Sequence, residues 1–365
     1  MNINVTKKTL GDALDLLARV IPARSTNPAL TSVLIETHSQ GLTLSGTNLE
    51  IDLALDVPAE TGLGADGNRL LLPAHLLHAA VKRAGGQLIE LEVDGGRVVM
   101  RSGGGTTKFQ TLAAEDYARL TFEAGGVGLD APAFHRALTS VLYAASTEAF
   151  QAVFRGVLLT FGAQGGQAVA SDGYRVATCR FPVHDTGFAG QVIVPGRSLT
   201  ALLPLLQEAR ELSVRPGDGV LALTTESARV NVKLLDGDFP DWERVVPKDI
   251  RFTARLSKAA FVEALQRAAL FTDANANNRI ELLFAEGRVR LNAENEYGQA
   301  SEEVDAELGG VESAMSVSMN TKLLLNAAGP LEGDLELHLS GSTTPMIVRS
   351  PSDPAPMAVV VALRP

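Results

Sequence analysis

The sequence has 365 residues, of which 45% are hydrophobic, and a formal net charge of −10. This length exceeds one ordinary hydrophobic core and predicts two or three domains, whereas the acidic balance argues against broad nucleic-acid binding. No apolar run is long enough to cross a membrane, and the N-terminal residues lack the apolar core of a signal peptide. The single cysteine, Cys179, excludes an intramolecular disulfide, and we expect a cytoplasmic protein with no membrane partner.

One type of helical segment occurs three times along the chain. Residues 7–21 have apolar side chains at a helical spacing, and residues 134–145 and 261–269 repeat this spacing. Strand-like residues follow each segment and contain Asn48, Asp172 and Asn295, which lie 124 and 123 residues apart. This period is too long for a solenoid and indicates three similar domains.

A second type of helical segment alternates with the first. Residues 73–83, 196–209 and 320–329 each predict an amphipathic helix that is followed by two strands. Pro73 and Pro195 lie at or just before helix starts, where proline is tolerated, and Asn320 is a suitable N-cap. Pro204 predicts either a kink or a helix that begins after Gly196.

These repeats predict an α+β fold of three similar domains, at residues 1–126, 127–251 and 252–365. Each domain would have two helices packed on antiparallel sheets. Shortly before the second boundary lies Leu234–Lys248, which contains a predicted turn at Asp236–Asp238, then Pro240 and the only tryptophan, Trp242. We expect this connector to be stiff and extended rather than helical.

The predicted helices differ in charge from the rest of the chain. They have ten basic and four acidic residues, a balance of +6, which leaves −16 for the strands and loops. The basic residues are Lys7, Lys8, Arg19, Lys82, Arg83, Arg136, Arg197, Lys258, Arg267 and Lys322. Amphipathic helices have charged outer faces in any case, but six helices with this joint positive balance on one surface would attract a phosphate backbone.

No catalytic constellation is present in the sequence. Phosphate-loop, HExxH and paired CxxC motifs are absent, so we expect no enzyme, no cofactor and no metal. His75 and His78 are three residues apart and could both ligate a metal, but the other four histidines are scattered, and solvated histidines are the favoured explanation. A tight turn explains Asp236 and Asp238 better than a cation site does.

Five segments resemble the bacterial DNA polymerase III beta subunit family, the beta sliding clamps. They are Thr47–Ile51, Ser171–Ala177, Val192–Leu199, Leu234–Lys248 and Val359–Pro365. The resemblance implies a DNA-clamp fold and a ring-forming head-to-tail homodimer whose twelve helices line a pore around duplex DNA. It also implies a processivity factor in DNA replication, and basic helices that face the pore would reconcile DNA binding with the acidic net charge.

The resemblance further implies a peptide-binding pocket between the second and third domains. Its partners would be the DNA polymerase III catalytic subunit, the clamp loader, and other DNA polymerases and repair factors. The corresponding residues are Phe154, Ser171, Gly173, Tyr174, Arg175, Val176, Pro240, Arg244, Val245, Val359, Val361, Ala362, Leu363 and Arg364. Apolar side chains would form the floor, and arginines at the rim would donate hydrogen bonds.

Two further sets of residues follow from the resemblance and the charge pattern. The candidate DNA-binding residues are Arg24, Lys82, Arg83, Arg136, Arg197 and Arg267. The candidate dimer-interface residues are Lys108 and Phe109 in the first domain, and Leu270, Phe271, Glu302 and Glu303 in the third. Simple core packing is the alternative explanation for Leu270 and Phe271.

The favoured function is therefore a DNA-encircling processivity factor. A peptide-binding scaffold of the same fold without topological DNA binding is the alternative. An enzyme built on repeated α+β domains has no supporting residues.

Overall fold

The computed structural model describes residues 2–62, 67–94, 96–117, 120–123, 125–148, 152–184, 189–311 and 314–364. Within these ranges lie six α-helices, two in each predicted domain. They are α1 (Lys7–Leu17), α2 (Ala74–Arg83), α3 (Ala131–Val141), α4 (Gly196–Glu208), α5 (Lys258–Ala268) and α6 (Thr321–Ala328).

The described residues also form 25 strands. They are β1 (Asn2–Thr6), β2 (Ser32–His38), β3 (Gly41–Thr47), β4 (Ile51–Pro58), β5 (Glu60–Thr61), β6 (Arg69–Pro73), β7 (Leu88–Asp94), β8 (Arg97–Ser102), β9 (Gly105–Gln110), β10 (Val127–Leu129), β11 (Gly156–Gly162), β12 (Gly165–Ser171), β13 (Arg175–Phe181), β14 (Gly190–Pro195), β15 (Leu212–Pro216), β16 (Val220–Thr225), β17 (Ala228–Lys233), β18 (Phe252–Leu256), β19 (Arg279–Ala285), β20 (Arg288–Asn295), β21 (Gly298–Gly310), β22 (Met315–Asn320), β23 (Leu335–Leu339), β24 (Met346–Arg349) and β25 (Pro356–Val360).

The strands form three antiparallel sheets. The five-stranded sheet has the order β5-β1-β7-β8-β9, and the eight-stranded sheet has the order β10-β15-β16-β17-β4-β3-β2-β6. The twelve-stranded sheet has the order β14-β11-β12-β13-β25-β24-β23-β18-β21-β20-β19-β22. Sheets therefore continue from one repeat into the next, through the β4–β17 pair and the β13–β25 pair. The predicted α+β class, with two helices per repeat and antiparallel sheets, is confirmed.

The contacts divide the chain into two compact units. Unit 1 contains Met1–Pro132, Arg197–Leu234 and a short segment that begins at His184. Unit 2 contains Ala133–Val183, Ala189–Gly196 and Leu235–Pro365. The middle repeat contributes strands to both units, because β15 to β17 extend the sheet of the first repeat and β11 to β14 extend that of the third. The predicted domain boundaries at residues 126 and 251 remain a prediction.

Local sequence explains where the helices begin. The hydroxyl oxygen of Thr6 accepts a hydrogen bond from the amide of Thr9 at 3.1 Å, and the side-chain oxygen of Asn320 accepts one from the amide of Leu323 at 3.1 Å. Asn320 is therefore the N-cap that the sequence predicts. On α5, Phe261 and Leu265 are fully buried four residues apart, so one face of this helix forms the core of the third repeat.

Three sequence-based expectations need correction. Helix α1 ends at Leu17, so Arg19 lies outside it, and the six helices contain nine basic and four acidic residues, a balance of +5. Helix α4 begins at Gly196, so the expected later start is wrong, and Pro204 lies inside the helix, where a kink stays a prediction. The connector is not wholly extended, because Trp242–Val245 forms a 3₁₀ turn that the amide of Val246 closes on the carbonyl of Glu243.

The described helices include none that combines the length and the apolar composition of a membrane span. The described side chains also contain no group of three His, Cys, Asp or Glu residues arranged to hold a metal ion.

Candidate functional site

A turn that begins with Asn or Asp lies in one hairpin of each repeat: β3–β4, β12–β13 and β20–β21. The side-chain oxygen of its first residue accepts from backbone amides two or three residues later, at distances of 2.8 to 3.1 Å. These first residues are Asn48, Asp172 and Asn295, the three positions that marked the repeat in the sequence. An exposed apolar side chain stands at each turn: Leu49, Tyr174 and Tyr297. The repeat is therefore a structural one, and its turns can be compared directly.

The turn at Asp172 lies beside a cluster of buried apolar side chains in unit 2, which we call the apolar cluster. Its buried members are Leu158, Val169, Val176, Ile193, Ile347 and Val359. They lie on adjacent strands, and Val176 is directly opposite Val359 in the β13–β25 pair. Because side chains alternate across a strand, these residues form one continuous apolar surface on one face of the sheet.

The connector that begins at Leu235 packs on this surface. Its side chains Leu235, Phe239, Trp242, Val246 and Ile250 contact the apolar cluster while keeping part of their own surface exposed. Phe239 also packs edge-to-face against Phe154, with ring centroids 5.8 Å apart. The connector therefore forms a partly exposed wall over a floor whose own side chains are at most 6% exposed.

Other connector residues face the solvent. Pro240 is exposed, and the side chain of Val245 is 47% exposed. Arg244 is also exposed and pairs with Asp241 at 2.7 Å. An apolar side chain and an exposed cation at the edge of an apolar surface are typical of a site that receives a short peptide.

Arg175 lies at the edge of the cluster with its side chain only 11% exposed. Its Nε donates to the Asp172 carboxylate at 2.9 Å, and its guanidinium lies over the ring of Tyr143, 5.1 Å from the centroid. Burial raises the pKa of the Tyr143 hydroxyl well above its usual range, so this ring remains neutral. The Nη1 of Arg175 is buried and has no acceptor among the described residues. A buried donor of this kind is suited to a ligand carbonyl.

The C-terminal tail, Val361–Arg364, forms another side of the same region. The amide of Val361 donates to the carbonyl of Tyr174 at 3.0 Å, and the amide of Leu363 donates to the carbonyl of Ser318 at 2.8 Å. Ala362 packs against the core of the third repeat, so its side chain points away from the apolar cluster.

The structure thus brings predicted pocket residues together within unit 2 from the β12–β13 turn, the connector, β25 and Val361, with Phe154 packed on the connector. Ala362 is not among them, because it packs on the core of the third repeat. Sequence reasoning missed several residues of the cluster floor: Leu158, Val169, Ile193, Ile347 and Met357. The alternation of apolar residues in β11, β12, β14 and β24 was the signal that could have found them.

The predicted dimer-interface residues differ in their exposure. Lys108 is exposed on β9, but Phe109 is only 6% exposed, because its ring packs inside unit 1. Leu270 is 76% exposed, and Phe271 lies against the backbone of Gly298 at the start of β21. Core packing therefore does not explain Leu270.

The two glutamates of this predicted interface already have partners in the chain. Arg267 lies 2.8 Å from Glu302 and holds the pKa of that carboxyl below its usual range. Arg290, and then Arg288, have the same effect on the pKa of Glu303. A salt bridge from Lys108 of a second copy would have to compete with these arginines.

Most of the predicted DNA-binding cations also have acidic partners within the chain. Lys82 pairs with Asp15 at 2.6 Å and, with a smaller effect from His78, holds the pKa of that carboxyl below its usual range. The other pairs are Arg136 with Asp353, Arg197 with Glu50, and Arg267 with Glu302. Arg24 and Arg83 are exposed. Such surface pairs are weak, so a phosphate can displace the carboxylate.

Family models match almost the whole chain in three consecutive parts. The DNA polymerase III beta subunit N-terminal domain matches residues 1–121, the central domain matches residues 128–241, and the C-terminal domain matches residues 243–364.

Relatives and solved structures agree with this match. The beta sliding clamps of Pseudomonas putida and Caulobacter vibrioides are 28% and 27% identical, and each alignment covers 100% of both chains. The DNA polymerase III subunit beta of Pseudomonas aeruginosa is 26% identical with a TM-score of 0.90, over 100% of both chains. A sliding clamp structure from the same organism, bound to griselimycin, gives a TM-score of 0.93 at 26% identity, again over 100% of both chains.

Proposed function

Because the chain belongs to the DNA polymerase III beta subunit family, we propose that it is a DNA sliding clamp. In this proposal, two copies form a closed ring around duplex DNA and tether the replicative polymerase. The clamp is a non-catalytic processivity factor that acts in the cytoplasm. Topological enclosure requires no strong DNA contact, so weak phosphate contacts from the helices allow sliding.

The observation that carries this proposal is a pair of open strand edges. Strand β9 is the last strand of the five-stranded sheet, and residues 298–305 of β21 pair with β20 on one edge only. Neither free edge has a strand partner in the part of the chain that the structure describes. Exposed edges invite pairing with another chain, and a sheet that joins β9 to β21 of a second copy would cover both.

The internal repeat predicts the register of that interface. Ile51 pairs with Val232, and Arg175 pairs with Val360, each three residues after the first residue of its turn. The corresponding positions at the open edges are Gly298 and Phe109. We therefore propose that Gly298 lies opposite Phe109 of a second copy, and Gln299 opposite Lys108.

Cysteine cross-linking tests this register. The variant Gln299→Cys/Lys108→Cys should form a dimer linked by disulfides at both interfaces, because opposed strand residues lie within disulfide distance. The matched control, Gln299→Cys/Thr106→Cys, shifts one cysteine by two residues and should cross-link far less. The native Cys179 is buried and should not interfere. Equal cross-linking of both variants would contradict the proposed register, and a monomeric mass by light scattering would contradict the ring.

The topology of DNA binding needs a separate experiment. Protein loaded onto circular DNA by its clamp loader should remain bound, and it should dissociate once the DNA is cut. Equal retention on circular and linear DNA would contradict enclosure and favour the alternative, a peptide-binding scaffold of the same fold.

We further propose that the apolar cluster, with Arg175, the connector and the tail, binds short linear peptides. The partners would be the polymerase catalytic subunit, the clamp loader, other polymerases and repair factors. Arg175→Lys keeps the charge but loses the buried Nη1 donor, so the affinity for a polymerase tail peptide should fall about ten-fold or more. Unchanged affinity in a fluorescence polarisation titration, with the dimer intact, would remove Arg175 from the site.

A further inference from the structure

The C-terminal tail has a second anchor that lies outside the predicted pocket. Arg279 is the first residue of β19, and its guanidinium donates from Nη1 to the carbonyl of Arg364 at 3.1 Å. Its Nη2 donates to the hydroxyl of Ser318 at 2.8 Å. The backbone carbonyl of Ser318 in turn accepts a hydrogen bond from the amide of Leu363. One side chain therefore joins the end of the tail to the edge strand β22.

The position of Arg279 is itself fixed by the residues before it. Asn277 and Asn278 have left-handed backbone conformations, with φ of 58° and 46°. The carbonyl of Asn278 accepts both the amide and the hydroxyl of Thr321, at 2.9 and 3.0 Å, so the loop is bonded to the start of α6. Asparagine tolerates this conformation better than most residues, which explains its use at both positions.

We propose that Arg279 is a positioning residue, which holds the tail in the conformation that binds peptide. This proposal rests on the peptide-binding function proposed above. The tail Val361–Arg364 has only three main-chain anchors in the described chain: Val361 to Tyr174, Leu363 to Ser318, and Arg364 to Arg279. Without the last, the end of the tail is held by a single backbone hydrogen bond, and chain ends of this kind fray.

The position of the tail affects peptide affinity through the fraction of molecules in which the tail is ordered. A peptide binds only to the fraction of molecules whose tail is in place, and the apparent Kd rises as that fraction falls. Arg279 acts without touching the peptide, because its hydrogen bonds are directed at the tail carbonyl and at Ser318.

Two measurements on the full-length dimer test this role. In Arg279→Ala, we expect the amide hydrogen of Leu363 to exchange about ten-fold faster, and the Kd of a fluorescent polymerase tail peptide to rise by about ten-fold. Ser318→Ala removes one of the two acceptors and should change both quantities in the same direction by less. Arg279→Lys keeps the charge but replaces two guanidinium nitrogens, which each donate to one acceptor, by a single Nζ, so its effect on both quantities should lie between those of the original protein and the alanine variant.

Arg255→Ala is the matched control. Arg255 is an exposed arginine of the same sheet that pairs with Asp334 at 3.3 Å, and its loss should leave both the exchange rate and the Kd unchanged. Weaker peptide binding in Arg279→Ala without faster Leu363 exchange would indicate direct contact with the peptide and overturn the positioning role. If the unchanged protein binds no peptide, the peptide-binding proposal fails, and the exchange rate still decides whether Arg279 holds the tail.

Discussion

Two strand pairs join neighbouring repeats, and we call each pair with its turn and connector a junction. In the first junction, strand β4 of the first repeat pairs with β17 of the second. In the second junction, β13 of the second repeat pairs with β25 of the third in the corresponding register. Both junctions begin with the same turn, at Asn48 and at Asp172, and both are followed by a connector between repeats. The backbones of the two junctions are therefore equivalent.

The side chains on this shared framework differ. The positions that hold Val169, Val176 and Val359 in the second junction hold Ser45, Asp52 and Asn231 in the first. Asp52 accepts a hydrogen bond from the Thr47 hydroxyl at 2.7 Å, and Asn231 donates one to the carbonyl of Thr121 at 2.8 Å. Ile51 takes the place of Arg175.

The connectors also behave differently. In the first junction, the ring of Tyr117 is 4% exposed and packs on Leu34 and Leu71, the positions that correspond to Leu158 and Ile193. In the second, the connector leaves Pro240 and Val245 exposed. The first connector is buried through Tyr117, whereas the second packs over its floor and keeps an exposed outer face. The comparison shows that one backbone can support either a closed joint or a candidate binding site, according to a few side chains.

The strongest test of this comparison converts the second junction into the first. Val176→Asp/Val359→Asn introduces the pair found at Asp52 and Asn231 into the apolar cluster. Val176 and Val359 are only 5% and 2% exposed and support the connector, so each replacement removes about 1.5–3 kcal/mol of apolar contact beneath it. With the connector displaced, the affinity for the polymerase tail peptide should fall about a hundred-fold or more. Fluorescence polarisation measures the loss.

The control for this experiment is the folded state of the variant. Ser171 occupies the position of Thr47, so its hydroxyl, which donates to the carbonyl of Arg175 at 2.8 Å, can turn to the introduced carboxylate as Thr47 does to Asp52. Circular dichroism and light scattering should therefore show a folded dimer. A folded dimer that binds the peptide as tightly as the original protein would mean that the cluster is not the binding surface.

Part of this organisation was predictable from the sequence, for a physical reason. Side-chain periodicity and turn chemistry are local, so the six helices, the three repeats and the capping role of Asn320 could be inferred. Pairing between β4 and β17 joins residues far apart in the chain, and no local pattern specifies it. The partners of Glu302 and the burial of Phe109 depend on the same long-range packing, and for this reason the sequence did not indicate them.

A smaller effect, on stability rather than on peptide affinity, is expected from a substitution of Tyr117. Its hydroxyl is buried and has no hydrogen-bond partner among the described residues, and burial raises its pKa well above the usual range. Tyr117→Phe keeps the ring and removes the unpaired group, so the free energy of unfolding should increase by about 1 kcal/mol. Chemical denaturation measures this change. A clear loss of stability would mean that the hydroxyl has a partner and that the first junction is held by more than packing.

The smallest effect is expected from the reciprocal change, Asp52→Val/Asn231→Val. This variant gives the first junction the valine pair of the second, yet Tyr117 still keeps its connector buried and Ile51 still provides no donor. Calorimetric titration with the polymerase tail peptide should therefore give one site per chain, as in the unchanged protein. A second site would show that the valine pair alone creates the binding surface. One site would mean that the valine pair is not sufficient for binding. The first junction would then also need an exposed connector in place of Tyr117 and a buried arginine in place of Ile51.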